Sequence, residues 1–409
     1  MAPAEPHAAG SAGQRAWALF LVILTLTVEG FDLQTANLAA PSILGQFGID
    51  RSQLGPLLSA SLFGILIGAT LVAPLGDRFG RKRIVVIASI AYGLLSLTAA
   101  AAGSVGQLAI LRFLIGIGLG SVMPNSLAMA GALYGPRGHA SVTAFAGIGI
   151  TLGSALAGMT AARLLQLYHW QGLFVAGGVL PLVIAFIVAL ALREVRAGDL
   201  TAMAGPRPGS LSVLFAPSVR ATTIIAWLIF VCVALNVHLL ASWIPLLMKG
   251  AGLSSANAAW VTTGFHAGGV AGGIVASLLL RRKGWHAVAI FAGCAAATML
   301  TLAFVAQGGA AMIALIACAG FFVTGLQNGV NGAASDLYPP ASRATGLGWA
   351  LGVARIGAIL GPWVGTLAAV AGLDRDQHFF MIPAGPLLLV LLLAIIVSRR
   401  VRGGKAEAD

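Results

Sequence analysis

Charge is what this sequence has least of. Asp, Glu, Lys and Arg make up 9% of its 409 residues, where a soluble protein carries about 25%. A solvated globular surface is thereby excluded. Acids are scarcer still, 12 against 24 basic residues, so an acid inside an apolar run stands out. The three cysteines, Cys232, Cys294 and Cys318, all fall in apolar stretches, which excludes a loop-placed disulfide framework. No Cys/His metal-ligand spacing, nucleophile elbow or Walker phosphate loop occurs, so an enzyme, a metal site and an ATP-driven pump are not expected. No cofactor is expected either: energy would come from an ion gradient, a proton gradient above all, or from the substrate's own gradient.

What is abundant is apolar sequence (58%) and glycine (54 residues). Twelve apolar segments span roughly 16–43, 53–75, 84–103, 107–131, 139–163, 171–192, 219–248, 256–280, 286–306, 310–334, 344–370 and 378–398. Each is long enough to cross a bilayer as a helix. With the N-terminus inside, eighteen basic residues fall on the inner side and four on the outer, with Arg112 and Arg355 inside segments. That asymmetry is the positive-inside rule and predicts both termini in the cytoplasm. It also accounts for the net charge of +12 without nucleic acid as a partner. Glu29 interrupts the first segment, which argues against a cleaved signal peptide.

The expected fold class is an all-α polytopic membrane protein of 12 transmembrane helices, with lipid as its surroundings. Its parts are a tail at 1–15, a six-helix half at 16–192, a cytoplasmic linker at 193–218, a second half at 219–398 and a tail at 399–409. Leu133-Tyr134-Gly135-Pro136-Arg137 after segment four is echoed by Leu337-Tyr338-Pro339-Pro340 after segment ten, and segments five and eleven both carry spaced glycines. Such echoes point to an internal repeat.

Polar residues inside the segments are the candidates for chemistry. Glu29 and Asp32 are three apart in segment one and share a helix face. Charge at mid-membrane costs a few kcal/mol and by default marks a proton or ion site. Arg112 opens segment four, which runs opposite to segment one, so it can meet Asp32. In segment ten, Thr324, Gln327, Asn328, Asn331 and Ser335 recur on one face. Unpaired amides cost several kcal/mol against lipid, so this stripe faces either a wet cavity or polar groups of another helix. Arg355 in segment eleven pairs with a buried acid or meets an anionic substrate. Segment seven supplies His238, Trp243 and Pro245, and segment eight supplies His266. A lone intramembrane histidine either packs or lines a site.

Between segments two and three stands Gly76-Asp77-Arg78-Phe79-Gly80-Arg81-Lys82-Arg83. This loop resembles the signature of the major facilitator superfamily, with Ala73 where the motif opens on Gly. The Arg112, Gly116, Gly118, Gly120 spacing resembles a second superfamily signature, whose arginine is linked with proton coupling. Within the superfamily, Glu29-Gly30-Phe31-Asp32-Leu33-Gln34-Thr35 resembles the first helix of the aromatic acid:proton symporters, most of all those for 3-(3-hydroxyphenyl)propionate. Met123-Pro124-Asn125, Trp243-Ile244-Pro245-Leu246-Leu247 and Arg355-Ile356-Gly357-Ala358-Ile359-Leu360-Gly361-Pro362 agree. Ala132 and His139 depart from the family pattern, which has Glu and Arg there.

The resemblance implies two similar halves, a central site and alternating access in a bacterial inner membrane. It implies symport of protons with a small organic anion, an aromatic acid such as a hydroxyphenylpropionate or benzoate, by a monomer. Glu29, Asp32 and Arg112 would couple protons. Arg355, Trp243, His238, His266, Gln327, Asn328 and Asn331 would bind substrate. Asp77, Arg78, Gly80 and Arg81 would gate. A proton-coupled efflux antiporter for drugs and a non-transporting, transporter-like sensor are the alternatives.

Overall fold

A computed structural model describes residues 12–192, 211–217, 219–304, 309–338, 342–373 and 377–406. Residues 193–210 and 218 of the expected linker, residues 1–11 of the first tail, residues 407–409 of the second and Pro339-Pro340 lie outside the described residues, whereas 399–406 of the second tail continue the last helix. So do the side chains of 131–147, among them Ala132, His139 and the Leu133–Arg137 echo, and the side chain of Ser335.

All regular structure among the described residues is helical. An apolar surround cannot satisfy backbone N–H and C=O groups, and a helix satisfies them within itself. Eleven helical stretches are long and apolar enough to cross a membrane. One of them, Ile148–Ala191, has 44 residues, about twice the length that a bilayer needs, and it runs from within segment five through nearly all of segment six. The chain is thus a multi-pass membrane protein.

The helical run continues from Val105 to Ala191, through the connections expected near 132–138 and 164–170. As a straight rod it would extend about 130 Å. Instead its parts pack on three different helices, and His169, at φ 53°, turns the backbone between segments five and six. Segment two carries a five-residue π-helical turn, Gly68–Val72, which no local sequence signal announced.

Glycine positions set the pairings. A Cβ on Gly30 would strike the Ile150 carbonyl, and one on Gly153 would strike Thr27, so segments one and five touch backbone to backbone. Gly64 and Gly120 bring segments two and four together in the same way, and Gly93 meets Gly178 between segments three and six. In the later part of the chain Gly357 and Gly361 seat segment eleven on segment seven, and Gly272 and Gly320 join segments eight and ten. Gly293 faces Leu391 between segments nine and twelve. First with fifth, second with fourth and third with sixth is therefore the pairing order in both sets of six.

The described residues form two compact units. One comprises 12–33, 63–154 and 174–192; the other comprises 34–62, 155–173 and the described residues from 211 on. Segments one, two and five contribute residues to both units. Segment one is a single helix, Ala12–Phe47, and it passes from one unit to the other between Leu33 and Gln34.

Candidate functional site

In the first unit, segment one presents Glu29 and Asp32 one helical turn apart. Both are buried, with 3% and 0% of their surface exposed. Arg112 of segment four lies against Asp32: its Nη1 donates to Asp32 Oδ2 at 2.8 Å and approaches the Asp32 carbonyl oxygen at 3.4 Å. The guanidinium also lies over the Phe174 ring, 6.0 Å from its centroid. A buried carboxylate facing a buried guanidinium lowers the cost of each charge. Among the described residues Asp32 Oδ1 has no hydrogen-bond partner, so the pair leaves acceptor capacity unspent.

Two neighbours shape this pair. Gly30 lets segment five close on segment one, and Ser154 Oγ donates to the Gly30 carbonyl at 3.1 Å. Tyr92 of segment three is 1% exposed and within electrostatic reach of both carboxylates. Gly118 makes room for it: a Cβ there would stand 2.8 Å from Tyr92 Cβ. The glycines after Arg112 are therefore packing residues. Tyr92 looks like one more apolar residue in the sequence, and nothing local marks it.

In the second unit, segment one continues with Gln34 and Asn37, both buried. Asn37 Nδ2 donates to Gln34 Oε1 at 2.5 Å, and Gln34 Nε2 contacts His266 Nε2 of segment eight at 2.6 Å. The sequence reading passed over Gln34 and Asn37 as site residues. Their i,i+3 spacing in an apolar run is the same signal that marked segment ten.

His238 is half-buried and its Nδ1 lies 2.9 Å from the Ala234 carbonyl oxygen. Arg355, also half-buried, acts electrostatically on it. Trp243 is fully buried. Its Nε1 donates to the Pro362 carbonyl at 3.2 Å, and its ring stacks on Phe379 with centroids 5.7 Å apart. Much of this ring is thus engaged in helix packing.

The stripe of segment ten divides. Thr324 and Asn328 lean into the space that Cβ atoms would fill on Gly269 and Gly273 of segment eight. Gln327 and Asn331 are half-buried, and Asn328 is exposed. Among the described residues no hydrogen bond engages any of these three side-chain amides, so each has polar capacity to offer to water or a ligand.

The sequence profile of the Major Facilitator Superfamily matches residues 22–362, with a second match over 226–409. The chain belongs to the Major Facilitator Superfamily. It is 31% identical over 420 residues to the "4-hydroxybenzoate transporter PcaK" of Pseudomonas aeruginosa, covering 93% of this chain and 92% of that one. It is 33% identical over 387 residues to the "3-(3-hydroxy-phenyl)propionate transporter" of Escherichia coli K12, covering 93% and 94%. Among solved structures it resembles a bacterial homologue of the human lysosomal transporter Spinster in an inward-facing, unoccupied conformation. The TM-score is 0.78 at 18% identity, over 95% of this chain and 98% of that one. That likeness is one of fold.

As a superfamily transporter the protein is not an enzyme, and its signature loop is readable in atomic terms. A short helix, Leu75–Phe79, ends at Gly80, whose φ of 101° favours glycine. The turn lets Arg81 reach back to Asp77: Nε and Nη2 lie 3.0 and 2.8 Å from Oδ1. Arg78 stacks on Phe79 at 5.4 Å. Lys82 donates to the Ala189 carbonyl at 2.7 Å, capping the end of segment six. A Cβ on Gly76 would strike the Asn125 side chain, and Asn125 donates to the Ala73 and Ser121 carbonyls at 3.1 and 2.8 Å. Asn125 therefore ties segment four to the loop.

Proposed function

We propose that this protein imports an aromatic carboxylate together with protons by alternating access. The proposal has it do so as a monomer in the bacterial inner membrane, with two six-helix halves and both termini in the cytoplasm. The observation that carries the reading is the buried Asp32–Arg112 pair. Two opposite charges held out of water between two spanning helices cost stability unless they serve a purpose. Proton exchange at such a pair is that purpose here. The names of the relatives supply the substrate class: 4-hydroxybenzoate in one, a hydroxyphenylpropionate in the other.

In this reading Asp32, with Glu29 one turn away, takes up a proton, and Arg112 holds the ionised form between cycles. The substrate carboxylate meets Arg355, with His238 and His266 beside it and Gln327, Asn328 and Asn331 as a wet wall. Trp243 or another aromatic packs on the substrate ring. Asp77, Arg78, Gly80 and Arg81 serve the inner gate. Neutralising or pairing each buried charge lets the loaded carrier reorient, while a half-loaded carrier is held by an exposed charge. The proton gradient takes the place of a cofactor.

Proteoliposomes with labelled 4-hydroxybenzoate and 3-(3-hydroxyphenyl)propionate test this. Accumulation driven by an inward proton gradient is the expected result. Exclusion of the compounds identifies an efflux antiporter, and retained binding without turnover identifies a sensor.

A further inference from the structure

We propose that Gln34, backed by Asn37, is a positioning residue that fixes His266 as a hydrogen-bond donor toward the ligand, while His238 is fixed as an acceptor. The assignment rests on the carboxylate-transport reading above only for the nature of the ligand. The hydrogen-bond chain itself stands on the geometry of one compact unit.

The chain runs from Asn37 to His266. Asn37 Nδ2 donates to Gln34 Oε1, which commits the Gln34 oxygen. The Gln34 amide nitrogen is then what faces His266 Nε2 at 2.6 Å. An amide NH2 can only donate, so His266 Nε2 accepts and the neutral ring carries its proton on Nδ1. All three side chains are buried, with 3%, 9% and 7% of their surface exposed for Gln34, Asn37 and His266. Phe265 stands edge-on to the imidazole at 5.3 Å. Among the described residues Nε2 is the only ring nitrogen of His266 with a hydrogen-bond partner, so the Nδ1 N–H is left to offer.

His238 is set the opposite way. Its Nδ1 faces the Ala234 carbonyl at 2.9 Å, and a carbonyl only accepts. Nδ1 therefore carries the proton, and Nε2 of the neutral ring is left as an acceptor. Among the described residues Nδ1 is the only ring nitrogen of His238 with a hydrogen-bond partner. Segments seven and eight thus offer one donor and one acceptor from the same residue type. His266 suits a carboxylate oxygen, and His238 suits a hydroxyl hydrogen. Asp32 and Gln34 are two residues apart, about 200° around the helix. Segment one therefore turns its acids to one side and this amide chain to the other.

The test is spectroscopic and thermodynamic. Wild type with 15N-labelled histidine rings is assigned against His266→Asn. The expected His266 signal is the neutral, Nδ1-protonated form. Gln34→Met, near-isosteric and uncharged, removes that preference and weakens binding of benzoate and 4-hydroxybenzoate by about tenfold. Asn37→Leu, which keeps Gln34, shifts the tautomer in the same direction. His238→Phe removes the advantage of 4-hydroxybenzoate over benzoate and leaves His266 unchanged. An Nε2-protonated His266 in wild type, or a tautomer and affinity unmoved by Gln34→Met, overturns the proposal. If wild type shows the Nδ1-protonated ring but binds no aromatic carboxylate, the positioning role stands and the substrate reading falls.

Discussion

Arg112 Nη1 lies 2.8 Å from Asp32 Oδ2, and the two side chains are 2% and 0% exposed. Removing one partner of a buried pair costs about 3–5 kcal/mol, because the other charge is left uncompensated. Arg112→Leu is therefore expected to lower thermal stability sharply in detergent. The double substitution Asp32→Asn with Arg112→Gln is expected to recover most of it. Melting curves of the three proteins give the result, and full stability of Arg112→Leu would argue against a charged pair.

Gly30 looked in the sequence like part of a substrate-class signature. In the structure it is where segment five touches segment one. Gly30→Ala drives a methyl group into the Ile150 carbonyl, and overpacking of this kind costs about 1–3 kcal/mol. Gly45 lies in the same helix with nothing within 4 Å of its would-be Cβ. Gly45→Ala is expected to be neutral. Size-exclusion profiles and melting temperatures of the pair compare the two sites directly.

The signature loop separates stability from turnover. The Asp77–Arg81 pair is open to solvent on the Asp77 side, which is 66% exposed, and such pairs contribute about 0–1 kcal/mol. Asp77→Asn is thus expected to leave the melting temperature nearly unchanged and to cut transport, by its gating role. Gly80→Ala adds a left-handed strain of about 1–2 kcal/mol and is expected to lower both. Transport lost in Gly80→Ala but kept in Asp77→Asn would assign the loop a structural role only.

The amides of segment ten give a test of wetness. Gln327→Leu and Asn331→Leu remove amides that make no hydrogen bond among the described residues, so folding stability should not fall. Uptake should. Asn331→Cys, in a protein with Cys232, Cys294 and Cys318 replaced, is expected to react with a membrane-impermeant thiol reagent in inverted vesicles. Absence of labelling from either side would place Asn331 away from a water-filled path.

Much of this was legible because lipid leaves polar residues few tolerable places. The spans, Glu29, Asp32, Arg112 and the segment-ten stripe are all exceptions to an apolar rule, and a linear reading finds exceptions. Gln34, Asn37 and Tyr92 were harder. Gln34 and Asn37 carry no charge, and Gln34 lies nearly opposite Asp32 on its helix, so attention to the acids hid it. Tyr92 passes for an ordinary apolar residue until folding brings segment three to the carboxylates. The pairing of segment one with five and of seven with eleven depended on which glycine meets which carbonyl, and that is a property of two helices at once. The helical course through 132–138 likewise had no local marker, since Gly135-Pro136 reads as a turn.

The central claim is that Asp32 carries the proton that drives uptake. The most direct measurement compares wild type and Asp32→Asn in proteoliposomes, using a labelled aromatic carboxylate in two regimes: accumulation under an inward proton gradient, and counterflow exchange with no gradient. The account predicts that Asp32→Asn retains exchange and loses accumulation. Accumulation by Asp32→Asn equal to that of wild type would contradict it.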